Sequence, residues 1–161
     1  MELFQNNLNK SDNILSLLQE CAVEEINIYN QAHIEMDCPF LTTNKLPVQT
    51  KHEIPLYFEL KGDFNGVAIC YLDTYQKELS VDQASFFQSL YVESMNILLG
   101  KMLTEIDKKK HYEITCSSPY ISKTQTMMNI FNDNKTQIYH ANYKLITNLH
   151  EYDCRVIFNF L

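Results

Sequence analysis

Three residues in the run VESMNILLG, positions 92 to 100, are of types and at spacings that could do chemistry together: Glu93, Asn96 and Gly100. Glu93 and Asn96 stand three apart, the helical spacing at which two side chains reach a common point above the surface. A carboxylate pairs with a cation, and a carboxamide both donates and accepts hydrogen bonds without gaining or losing a proton. At about 100° per residue the two fall in a narrow arc with Ser89, Asp82 and Gly100, away from the apolar stripe, so all of them face outward. A glycine in mid-helix costs roughly 1 kcal/mol relative to alanine, so Gly100 requires a reason. Either the missing side chain lets another protein's backbone come close to Asn96, or it serves close packing against the first helix. An outward Glu and Asn are also what an ordinary solvated helix face shows.

The helix beneath these residues is predicted from Ser80, which forms a capping box with Gln83, to about Asp107. Its core stripe is Tyr91, Met95, Leu98, Met102 and Ile106. Upstream, Leu15, Leu18, Ala22, Ile26 and Tyr29 recur at helical steps from the N-cap Ser11, which predicts a first helix to about Ala32. The stretch DCPFLTTNKLPVQTKHEIP holds Pro39, Pro47 and Pro55 and no helical period, so it reads as a connection or at most an irregular edge strand. Residues Ile54 to Lys61 alternate as a half-buried strand, KGDFNG supplies a turn, and VAICYLD resumes the alternation; together they predict a hairpin. After the second helix come a short strand at YEITC, a loop at SSPY, and alternating segments from Thr136 to Thr147 and from Tyr152 to Leu161. In the last, Tyr152, Cys154, Val156, Phe158 and Phe160 share a face, and Ser122 to Phe131 fits a short helix or a strand equally. The sum is a single domain over 1–161, of α+β class, with two long helices packed on one face of a largely antiparallel sheet.

Composition narrows the function. The net charge of −7 argues against nucleic acid as a partner, and an acidic surface is drawn to lysines or is merely well solvated. Lys108 to Lys110, the only basic run, falls where it complements the dipole of a helix end. The N-terminal MELFQNNLNKSDN has no signal-peptide pattern and no apolar stretch reaches about 18 residues, so a cytoplasmic protein without a membrane span is expected. The five cysteines, an odd number without a Cys-x-x-Cys pair, fit reduced and mostly buried thiols. The five histidines are scattered, which predicts no ligand cluster; HIEMDCP, from His33, matches pieces of a zinc deaminase but lacks the downstream Pro-Cys-x-x-Cys pair. With three glycines and no phosphate loop, no cofactor or metal of the chain's own is expected.

The run Glu93-Ser-Met-Asn96-Ile-Leu-Leu-Gly100 resembles the Glu-x-x-Asn-x-x-x-Gly signature of the CheC, CheX and FliY chemotaxis phosphatases, CheX-like proteins above all. The surrounding order agrees: a helix, a Gly-containing hairpin, the signature helix, a Pro-bearing loop, then strands. The resemblance implies a CheX/CheC-like fold and a phosphatase for the aspartyl phosphate of a CheY-like response regulator. It implies that Asn96 orients the attacking water, that Glu93 docks to the partner's active-site lysine, and that Mg²⁺ comes on the phosphorylated partner. It also implies a homodimer, for which Tyr152 to Leu161 could serve as an edge strand. Glu24 and Asn27 repeat the first spacing, but Gln31 stands where the glycine would be, so they read as ordinary exposed helix residues. Leu99, Lys101 and Met102 depart from the small residues usual near that glycine, and a single Pro119 replaces the paired proline of the following loop. A non-catalytic module of the same fold, binding a response regulator or a signalling or flagellar assembly, is the alternative.

Overall fold

Strands from before and after one long helix join into one antiparallel sheet. The computed structural model describes residues 13–43, 53–73, 81–121 and 137–160. In chain order these hold a helix α1 over 13–21, strands β1 (Glu25–Ile28), β2 (Ala32–Thr43), β3 (Glu53–Gly62) and β4 (Gly66–Asp73), the helix α2 (Val81–Lys110), then β5 (Ile114–Cys116), β6 (Tyr120–Ile121), β7 (Ile138–Thr147) and β8 (Glu151–Phe160). The strands form an eight-stranded sheet in the order β1-β2-β7-β8-β4-β3-β5, with β6 also on β3. Among the described residues every pairing is antiparallel.

One face of the sheet shares a core with both helices. Leu56, Phe58 and Leu60 of β3, Ala68, Cys70 and Leu72 of β4, and the β8 set Tyr152, Cys154, Val156, Phe158 and Phe160 cluster with Ile14, Leu17 and Leu18 of α1 and with the stripe of α2. The stripe is Tyr91, Met95, Leu98, Met102 and Ile106, all buried, as the helical period dictates. Each such side chain contributes about 1.5–3 kcal/mol by leaving water. The hydroxyl of Tyr91 donates to the Cys70 carbonyl at 3.0 Å, which fixes the rotation of α2 over the central strand. At the far end of α2, Lys109 donates to the Glu20 carbonyl at 3.0 Å and Lys110 pairs with the Glu20 carboxylate at 2.8 Å, so the basic run ties α2 to the end of α1. No helix among the described residues is long and apolar enough to cross a membrane.

The β3–β4 hairpin forms as expected: Leu56, Phe58 and Leu60 are buried and Glu59 and Lys61 exposed, while Tyr57 and nearly all of β4 are buried as well. Tyr57, Val67, Ile69, Tyr71, Ile138 and Ile157 make a second apolar cluster on the other face. Gly62, at φ 133, starts the turn, and a side chain there would strike the carbonyl of Glu113.

Two expectations are corrected and a third is made definite. The first helix ends at residue 21 and does not continue to Ala32; Glu25–Ile28 is a strand. In it Ile26 and Ile28 alternate inward, and Tyr29 and Asn30 both take positive φ in a turn closed by Gln31 N–H donating to the Ile28 carbonyl, with Ile28 opposite Ala32. Tyr29, placed on the helical stripe by period alone, is 69% exposed. The proline-bearing stretch from Asp37 is, at its start, the irregular edge strand that its prolines allowed: β2 runs to Thr43, and from Asp37 on its one strand partner among the described residues is β7. Pro39 is accommodated because the β2–β7 register slips between Cys38 and Leu41, where no ladder N–H is needed. The other correction is at β8, which is not an edge strand; β7 and β4 flank it, so it has no free edge to lend to a dimer. Of the two helices only α2, at 30 residues, is long as described. The capping residue Ser80 and the ambiguous Ser122 to Phe131 lie outside the described residues.

Candidate functional site

The solvent face of α2 follows from which residues its core face consumes. Around Glu93-Ser-Met-Asn96, Ser94 and Met95 turn inward and the flanking pair turns outward; Ser94, fully buried, satisfies its hydroxyl by donating to the Leu90 carbonyl at 2.6 Å. Glu93 and Asn96 are exposed, as is Ser89 one turn earlier, whose hydroxyl donates to the Ser85 carbonyl at 3.2 Å. Among the described residues neither Glu93 nor Asn96 has a hydrogen-bond or ion-pair partner. Helix geometry holds their Cβ atoms about 5–6 Å apart. The two border an open hollow of about 480 Å³, lined also by Ser85, Gln88, Ser89 and Val92 of α2, with Pro119 of the loop after β5 on its other side. Asp82 lies in α2, but its side chain is outside the described residues.

Gly100 continues the same ridge one turn further on. A Cβ built there meets nothing within 4 Å, so close packing against α1 is not what keeps this position a glycine. Its carbonyl accepts the Thr104 hydroxyl at 2.8 Å and its helix is unbroken. The larger neighbours do not crowd the ridge: Leu99 and Met102 are fully buried, and only Lys101 is exposed. The arrangement offers an acid and an amide, held rigidly by a buried stripe, to something that approaches from outside.

Glu24 and Asn27 do not form a second copy of this arrangement. Glu24 precedes β1 and Asn27 lies on it, so three-residue spacing does not give them a common helical face. Asn27 instead meets His33 across the β1–β2 hairpin, where Glu25 and Glu35 also converge. This grouping of Glu25, His33 and Glu35 was missed by treating the stretch as one helix, although Glu-Ile-Asn-Ile before Tyr29-Asn30 and Ala-His-Ile-Glu after it carry the alternation of a hairpin.

No protein-family model matches this chain, and no curated sequence does. Solved structures do. The chain is similar to FliY from Thermotoga maritima, with TM-score 0.54 and 14% identity over 89% of this chain and 79% of that one. It is also similar to a CheC-like superfamily protein from Shewanella sp. PV-4 (TM-score 0.48, 14% identity, 97% of each chain) and to a chain of the CheX–CheY–BeF₃–Mg²⁺ complex from Borrelia burgdorferi (TM-score 0.46, 12% identity, 90% of each chain). The likeness to FliY is one of fold.

Proposed function

We propose that this chain, built on the fold of FliY, is a phosphatase that accelerates loss of the phosphoryl group from the aspartyl phosphate of a CheY-like response regulator in the cytoplasm. The observation that carries the reading is the outward pair Glu93 and Asn96 beside a glycine that the chain's own packing does not require. Hydrolysis of an acyl phosphate needs a water in line with the leaving oxygen, and much of the available acceleration is positional. Asn96 can hold that water through an amide that both donates and accepts, without a proton transfer to itself. Glu93, three residues earlier, pairs with the lysine beside the partner's phosphorylation site and sets the register of docking. The buried stripe of α2 and the Tyr91 hydrogen bond keep both groups on a rigid element, which positional catalysis demands. Ser89 and Gly100 leave room on either side for the partner's backbone. Mg²⁺ belongs to the phosphorylated partner in this reading and balances its phosphoryl charge. The net charge of −7 favours a partner that presents lysines.

The test is a time course of phosphoryl loss from candidate response regulators with and without this protein. Wild-type protein shortens the phosphoryl lifetime, Asn96→Ala abolishes the acceleration while binding largely survives, and Glu93→Ala weakens both. Full activity in both variants would sink the assignment, and binding without any shortening by the wild type would make the chain a non-catalytic module of the same fold. A homodimer, where one forms through sheet edges, would use β1 or the β5 and β6 side, since β8 is interior. A solution mass equal to one chain removes it.

A further inference from the structure

The β1–β2 hairpin brings four polar side chains to one face at the edge of the sheet. Glu25 stands opposite Glu35 and Asn27 opposite His33, while Ile26, Ile28, Ala32 and Ile34 fill the core behind them. His33 Nε2 lies 3.1 Å from a carboxylate oxygen of Glu25 and 3.1 Å from one of Glu35. His33 Nδ1 lies 2.7 Å from the Asn27 side-chain oxygen. A carboxamide oxygen only accepts, so Nδ1 is the nitrogen that carries a hydrogen and Nε2 is the one left to face the two acids. A bare lone pair pointed at two carboxylate oxygens is repelled. The position calls for positive charge.

We propose that this charge is supplied by a divalent transition-metal cation, with Zn²⁺ as its representative, bound by His33 Nε2 and the carboxylates of Glu25 and Glu35. Bonds of about 2.1 Å from a tetrahedral zinc to nitrogen and oxygen place neighbouring ligand atoms about 3.4 Å apart, close to the 3.1 Å from Nε2 to each acid. All three ligand atoms lie within 4.8 Å of one another, and the Glu25 and Glu35 side chains, 70% and 51% exposed, can turn onto an ion freely. One imidazole and two carboxylates suit zinc among the cations, with water completing the shell. Asn27 fixes the tautomer and orientation of the imidazole, as partners of metal-bound histidines do. Lys144, opposite Glu35 on β7, is drawn to Glu151 at 4.0 Å. The ion would clamp β1, a strand of four residues at the sheet's edge, onto β2.

Titration calorimetry with zinc chloride at neutral pH tests this on a Cys38→Ser parent, which removes the exposed thiol. The parent should bind a single ion per chain, and His33→Ala and Glu25→Gln should each weaken binding by about tenfold or more. Zinc should also raise the thermal midpoint of the parent and not that of His33→Ala. Glu25→Gln changes a surface side chain, so its loss of affinity is readable even where His33→Ala folds poorly. Absence of binding heat from the folded parent overturns the proposal. Undiminished affinity in Glu25→Gln and His33→Ala overturns it as well, by placing the ion elsewhere.

Discussion

Replacing Gly100 separates the helix from what the helix is for. Glycine is worth about 0.8–1.0 kcal/mol less than alanine inside a helix, through backbone entropy alone. At Gly100 the added methyl meets nothing within 4 Å, so neither a clash nor a packing gain modifies that figure. Gly100→Ala should therefore stabilise the fold by about 0.5–1 kcal/mol. With a urea slope of about 2 kcal/mol/M, the denaturation midpoint should move up by roughly 0.4 M. Leucine has nearly the same helix propensity, so Gly100→Leu should show a similar gain, yet it would set a branched side chain on the ridge beside Asn96. In the phosphoryl-loss assay the leucine variant should therefore lose most of the acceleration. A midpoint that stays or falls in Gly100→Ala would refute the reading of open space. A stabilised Gly100→Leu with wild-type acceleration would refute the claim that a partner's backbone passes there.

Three further outcomes follow from the core and from the titrating groups. Leu98→Ala, at a fully buried position of the α2 stripe, should cost about 2–5 kcal/mol in chemical denaturation, whereas Lys101→Ala on the exposed side should stay within about 0.5 kcal/mol. With a thiol reagent on the native protein, exposed Cys38 should react first and half-buried Cys116, whose thiol burial pushes up, more slowly. Cys70 and Cys154, whose burial pushes their thiols up far more, should react only on unfolding. Burial and then the Arg155 charge hold the His140 pKa below its ordinary 6.5. Its contribution to stability is therefore fully present above pH about 6.5 and is lost as pH falls through the lower folded value. An NMR titration midpoint for His140 at or above 6.5 would contradict this.

What the sequence made legible was set by how long each periodic signal lasts. The α2 stripe repeats from Tyr91 to Ile106 with every member buried, and the β8 alternation from Tyr152 to Phe160 places each of its apolar residues in the core, so in both the pattern outlasts accident. The first helix failed for the opposite reason. Ala22 and Ile26 extend the spacing of Leu15 and Leu18 by coincidence, while Ile26 and Ile28 also satisfy period two over only four residues. Asn30 in the left-handed region was the available signal for the turn, since asparagine tolerates positive φ where most residues do not. Pro39 left a choice between a connection and an irregular edge strand, and the strand is what forms. It argues against a ladder donor at its own position, and the register slip beside it removes that need without ending the strand.

The two groups of chemically capable residues differ in the same way. Glu93, Asn96 and Gly100 lie on one helix, where local spacing alone fixes which side chains share a face, so their outward arc follows from the sequence and needs no tertiary information. Even the bulky departures near Gly100 were resolvable by that logic: Leu99 and Met102 continue the stripe side of the wheel and are buried, which leaves Lys101 as the one enlarged residue at the surface. Glu25, His33 and Glu35 come together only through a hairpin register, Glu25 with Glu35 and Asn27 with His33, and a slip of one residue would send the acids to the core face. Period cannot fix a register; the turn at Tyr29 and Asn30 does, by seating Ile28 opposite Ala32. Moving that turn should therefore disperse the hairpin cluster while leaving the α2 ridge intact, because no residue of the ridge depends on β1.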